Sequence, residues 1–250
     1  MQRLTILLSF FLLLLAFTMI SAQEIQEVQK VKPPDPLRFA NEINAFKQWD
    51  KKNSFPEQAV LFVGSSSMRM WPTADYFPEM DIINRGFGGA HITDVEYFYD
   101  DVLKKYNPAI IVFYAGDNDV AAGMDVDTVY NDFVRFYNRV ENDFPAVDFF
   151  YIPIKPSLNR WSFWDKMNQT NEKIAEFCRT KENLEYIDTA TPMLGPDQKP
   201  MSLFIEDGLH LNKDGYDLWS SIVKPYLKES IKDKLTNFKG LLHLAEPQNN

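Results

Sequence analysis

Five short apolar runs, each bounded by turn-forming residues, constrain this chain more than any other feature. They are Ala59–Val63, Asp81–Asn84, Ala109–Tyr114, Val147–Ile152 and Leu184–Ile187. They are β-branched or aromatic and nearly continuous, as expected of parallel strands covered on both faces. Between them apolar residues recur every three or four positions, the period of a helix with one buried face. Thr93–Lys105, Val126–Asn142, Phe163–Lys181 and Lys213–Lys228 have this pattern, and Leu37–Lys51 precedes the first run with Phe39, Ile43, Phe46 and Trp49. Strands alternating with helices predict an α/β fold, a three-layer α/β/α sandwich with a flavodoxin-like, five-stranded parallel sheet.

With 250 residues, 45% of them hydrophobic, the chain can bury one sizeable core. That domain is expected over residues 37–230. Residues 231–250 read as a polar tail prone to fraying, and 23–36 as an extended linker carrying Lys32-Pro33-Pro34-Asp35-Pro36.

Residues 1–22 have the form of a signal peptide: a positive start at Arg3, an apolar run from Leu4 to Ile20, and the small residues Ser21-Ala22 before Gln23. The competing reading is a retained membrane anchor, since the run is long for a signal. Cleavage predicts a secreted or periplasmic protein. Losing Arg3 takes one from 26 basic residues against 35 acidic ones, so the net charge moves from −9 to about −10. Nucleic acid and anionic membrane surfaces would repel such a chain. Cys178 is the single cysteine, which rules out an intrachain disulfide. Its spacing from Ile174 and Phe177 places it on a buried helix face.

In a parallel α/β sheet, ligands bind beyond the carboxyl ends of the strands. Four segments there are chemically loaded: Gly64-Ser65-Ser66-Ser67 after the first run, Gly86-Phe87-Gly88-Gly89 after the second, Asp117-Asn118-Asp119 after the third, and Asp207-Gly208-Leu209-His210 before the last helix. Each alone has a bland reading as a turn, a loop or a helix cap. Together they fit one task. Ester cleavage by serine needs a base, a group that orients the base, and donors aimed at the developing oxyanion. His210 can be the base, and a tight turn would bring Asp207 to it. Asn118 offers an amide donor, and Gly89 and Ser66 offer backbone N–H groups. Residue types alone leave Ser65, Ser66 and Ser67 as equal candidates.

The four blocks, with Gly-Ser-Ser-Ser-Met-Arg-Met-Trp from Gly64 and Leu203-Phe204…Asp207-Gly208-Leu209-His210-Leu211-Asn212, resemble the SGNH (GDSL-type) hydrolase superfamily, in a branch where Gly-Ser-Ser replaces Gly-Asp-Ser. The resemblance spans about Val60 to Leu227. It implies Ser66 as nucleophile, Asp207 and His210 as its partners, and an oxyanion hole from Ser66, Gly89 and Asn118. Two departures, Ser65 before the nucleophile and Ala90 after the block-two glycine, make the substrates of better-known branches an unsafe guide. The resemblance implies a serine ester hydrolase that needs no cofactor.

An α/β-hydrolase is disfavoured because Met68 stands where Gly-x-Ser-x-Gly needs its second glycine. A metal site is not expected either, since His91, His210 and His243 are widely separated and no His-Glu-x-x-His occurs. His91 either lines the pocket or opens the next helix. Arg160 and Trp161 either bind a polar substrate, the indole stacking on a sugar ring, or serve as a surface residue and a packing anchor. The expected substrate is a small-molecule or carbohydrate ester with a short acyl group, O-acetyl first. Lipid acyl hydrolysis, acyl transfer on the same scaffold and carbohydrate binding by an inactive scaffold are the alternatives. Nothing in the sequence indicates an oligomeric state.

Overall fold

The computed structural model describes residues 31–245, with side chains through Thr236. The expected signal peptide and most of the expected linker lie outside the described residues. The five apolar runs form β1 (Val60–Gly64), β2 (Ile82–Gly86), β3 (Ile110–Tyr114), β4 (Asp148–Tyr151) and β5 (Leu184–Tyr186). All pair in parallel, in the order β2-β1-β3-β4-β5.

Side-chain alternation divides the core between the two faces of this sheet. Leu61 and Val63 of β1, Ile111 and Phe113 of β3, and Phe149 and Tyr151 of β4 enter one cluster. There they meet Val129, Phe133 and Phe136 of the helix Val126–Asp143 and Ile174 of the helix Trp164–Cys178. Val60, Phe62, Ile110, Val112 and Tyr114 enter the other, against Trp71, Phe77, Trp219, Val223 and Leu227. Trp71 is its hub: its ring lies 5.2 Å from Phe62 and 5.4 Å from Trp219, and its Nε1–H donates to Ser220 Oγ at 3.0 Å. A wholly buried indole costs little once its N–H is bonded. The result is an α/β/α sandwich.

Three helices differ from the sequence expectation. The stretch read as Thr93–Lys105 is broken into Ile92–Tyr97, Tyr99–Val102 and a 3-10 turn, the first break falling at Phe98, whose ring meets Phe87 edge-on at 6.2 Å. The stretch read as Leu37–Lys51 begins as a 3-10 turn, Pro36–Phe39, capped by the Asp35 carboxylate, before the α-helix Ala40–Asp50. The last helix runs from Lys213 to Ala245, well beyond Lys228 and into the expected tail. Ser230 Oγ donates to the Asp148 carboxylate, and Lys234 Nζ donates to the Ala146 carbonyl at 2.9 Å and pairs with Asp148 at 3.2 Å. These tertiary contacts hold a segment whose own pattern is too polar to announce a helix. Among the described residues, no helix is long and apolar enough to cross a membrane.

Candidate active site

β1 and β3 are neighbours although β2 lies between them in sequence, so the strand order reverses here and a crevice opens beyond their carboxyl ends. Ser65 follows β1, and its N–H donates to the Tyr114 carbonyl at the end of β3 (2.9 Å). Gly64 makes this junction feasible. It has φ +140°, and a Cβ there would sit 1.9 Å from the Tyr114 carbonyl oxygen. A one-turn helix, Ser66–Arg69, then begins.

The three serines, equivalent in sequence, have different surroundings. Ser65 and Ser67 are buried, and neither hydroxyl meets a partner. Ser66 Oγ lies 2.9 Å from His210 Nε2. His210 Nδ1 lies 2.6 Å from Asp207 Oδ2.

The pair comes from a tight turn. Phe204 and Leu211 bridge at its base, the Ile205 N–H donates to the His210 carbonyl, and Gly208 turns the chain at φ +65°. Asp207 Oδ1 accepts the N–H groups of Leu209 (2.8 Å) and His210 (2.9 Å). Partial burial alone would raise the Asp207 pKa, but His210 and these two N–H groups outweigh it and bring it down to about 2. An ionised Asp207 only accepts, so His210 Nδ1 carries the proton and Nε2 presents its lone pair to the Ser66 hydroxyl. The loop is braced from outside by Asn159, whose N–H donates to the Gly208 carbonyl and whose amide donates to the Asp207 carbonyl.

Gly89 is exposed at φ +63°, and a Cβ there would meet nothing within 4 Å. The glycine therefore serves the backbone turn and leaves its surroundings open. Among the described residues, the N–H groups of Ser66 and Gly89 donate to no other protein group. Asn118, second residue of the short helix Asp117–Ala121, ties the third block to the second, its Nδ2 donating to the Ala90 carbonyl at 3.0 Å.

His91 precedes the helix Ile92–Tyr97, its N–H donating to the Asp94 carboxylate at 2.8 Å. Its buried ring places Nδ1 3.9 Å from Asp119 Oδ1. Trp161 is half-buried and stacks on Trp164, with centroids 6.0 Å apart and planes at 13°. Arg160 turns inward, Nη1 lying 2.8 Å from Asp117 Oδ2 and Nη2 donating to Asn118 Oδ1 at 2.9 Å.

Beneath it lies a cluster that sequence reasoning passed over. Asp117 is 3% exposed and also faces Lys155 Nζ at 3.5 Å, which donates to Tyr114 OH at 3.0 Å. Burial raises the Asp117 carboxyl, but Lys155 and Arg160 together hold it below the usual carboxylate range. Burial also pulls the Lys155 ammonium down, with Asp117 opposing. The available signal was Lys155 closing the apolar stretch Phe149–Ile154, where a charge is expensive unless paired.

The model of the GDSL-like lipase/acylhydrolase family matches residues 67–218, more than half of the chain, so the chain belongs to that family. The match begins one residue after Ser66. Comparison with curated proteins finds no match. Among solved structures, the chain is similar to a Streptococcus pneumonia protein described provisionally as a platelet activating factor (TM-score 0.67, 20% identity, covering 85% of this chain and 98% of that one). It is also similar to a GDSL-like lipase from Bacteroides thetaiotaomicron (0.64, 19%, 78% and 98%). A third is an acetyl-xylooligosaccharide esterase from Geobacillus Stearmophilus (0.53, 13%, 71% and 96%). The family and the fold make this chain a carboxylic ester hydrolase.

Proposed function

We propose that this chain is an exported serine esterase that releases short acyl groups, O-acetyl groups on carbohydrates first among them. The hydrogen-bonded chain Asp207–His210–Ser66 carries the reading. Ser66 Oγ attacks the ester carbonyl as His210 Nε2 takes its proton, and Asp207 stabilises the imidazolium that forms. The oxyanion receives the N–H groups of Ser66 and Gly89 and the second Nδ2 hydrogen of Asn118; one such donor is worth about 3–4 kcal/mol in other enzymes. The tetrahedral intermediate collapses, and His210 gives its proton to the departing alcohol. Water then attacks the acyl-serine with His210 again as base, which releases the acid and restores the Ser66 hydroxyl.

The acetyl-carbohydrate assignment is supported by the shared fold with an acetyl-xylooligosaccharide esterase, by the amino-terminal export pattern, and by the acidic net charge, which disfavours anionic substrates. Rates on p-nitrophenyl esters from acetyl to decanoyl, for the chain from Gln23 onward and its Ser66→Ala variant, test it. The expected result is a maximum at the shortest acyl groups and a loss of at least a thousandfold in the variant. Undiminished turnover by Ser66→Ala would remove the nucleophile, and a maximum at long chains would remove the acetyl assignment.

A further inference from the structure

Arg160 follows β4 on a loop over the crevice, where a cation would ordinarily be read as a substrate ligand. Its guanidinium is turned inward instead. The side chain is 16% exposed, with Nη1 against Asp117 and Nη2 on Asn118 Oδ1. A guanidinium has no lone pair to offer, so only the oxygen of the Asn118 amide can face it. That fixes which way round the amide sits. Nδ2 is turned to the opposite side, where the Ala90 carbonyl takes one hydrogen at 3.0 Å. The other is left for a ligand.

Remove the guanidinium, and the Ala90 carbonyl alone holds the amide, which is then freer to swing about its terminal bond. A donor that must first rotate stabilises a developing charge less than one already aimed. Asp117 keeps Arg160 in place, since a carboxylate this buried requires its cations. Lys155 Nζ faces the same carboxylate oxygen, Asp117 Oδ2, at 3.5 Å. One buried anion thus meets two cations at a single oxygen, and the planar fork of arginine spans Asp117 and Asn118 at once, which a lysine cannot do.

We propose that Arg160, anchored by Asp117, is a positioning residue that acts through Asn118 to aim its amide N–H at the oxyanion. The inference rests on the oxyanion role of Asn118 in the preceding section. Residues that orient a metal's ligands from behind typically change activity 10–100-fold when removed, and a loss of similar size is expected here.

The test is a double-mutant cycle on p-nitrophenyl acetate, with kcat and KM separated, for the wild type, Arg160→Ala, Asn118→Ala and the double variant. Arg160→Ala should lower kcat about 10–100-fold with KM within about threefold, and the double variant should match Asn118→Ala alone. If Asn118→Ala is impaired and the losses instead multiply, Arg160 does not act through Asn118 and the proposal fails alone. A rise in KM at unchanged kcat in Arg160→Ala would make it a substrate ligand and also overturn the proposal. An unimpaired Asn118→Ala would remove the oxyanion role, and this inference with it. Should Arg160→Ala not fold, Arg160→Lys keeps a charge beside Asp117 and carries the same cycle, with the same non-additivity expected.

Discussion

At the scale of single residues, the site sits beside an unusual pair. Burial drives the Asp119 carboxyl up to about 8; the N–H groups of Ile92 and of Asp119 itself oppose the rise, and the charges of Asp117 and Asp132 add to it. Burial pulls His91 down to about 4, helped by Arg38 and Arg160 and opposed by Asp117. Both are therefore neutral in the folded chain at pH 7. Between about pH 4 and 6.5 an unfolded histidine holds a proton that folded His91 lacks, so this group adds stability as pH rises. Over about pH 4 to 8 folded Asp119 holds a proton that an unfolded aspartate has lost, so it removes stability as pH rises. The two oppose each other up to about 6.5, and above that only Asp119 acts. Stability should fall by up to about 2 kcal/mol between pH 6.5 and 8, and Asp119→Asn should abolish that fall. Urea unfolding of both proteins at the two pH values checks it; parallel slopes would contradict the shift.

At the scale of elements, the strands were legible and helix ends less so. Every apolar run became a strand within a residue or two, because a buried parallel strand needs a continuous apolar run. The 93–105 stretch carries a helical period but breaks at Phe98, where aromatic packing prevails over local pattern. The extension to Ala245 was invisible because its support comes from the start of β4, more than eighty positions earlier. Those contacts lie at the opposite strand ends from Ser66. Ser230→Ala combined with Lys234→Ala should therefore lower the unfolding midpoint by about 5 °C, from roughly 1–2 kcal/mol of lost bonding to Asp148, while kcat/KM on acetyl esters stays unchanged. Calorimetry and ester assays read the two halves of this expectation separately.

At the scale of the whole molecule, both sheet faces are packed with interlocking aromatics and the single cysteine cannot form an intrachain disulfide. Cys178 is buried, and burial pushes its thiol up to about 12, which leaves it inert as a nucleophile at neutral pH. A chain without an intrachain disulfide depends on its core for stability. If export is as proposed, mass spectrometry of the secreted protein should give an amino terminus at Gln23; an intact Met1 would support the anchor reading.

Sequence by itself determined the strand and helix order, the family to which the chain belongs, and the four blocks that meet at the strand ends. It could do so because those features are periodic or local: continuous apolar runs between stretches of helical period, or an acid and a histidine three residues apart. The family resemblance pointed to Ser66 among three like residues; tertiary structure alone gave the reason, placing the Ser66 hydroxyl 2.9 Å from His210 Nε2 and leaving those of Ser65 and Ser67 buried without a partner. It also turned Arg160, read from sequence as either a substrate ligand or a surface residue, into a partner of Asp117 and Asn118. A buried charge is intelligible only through what surrounds it, and those neighbours come from β3, β4 and the loops that follow them.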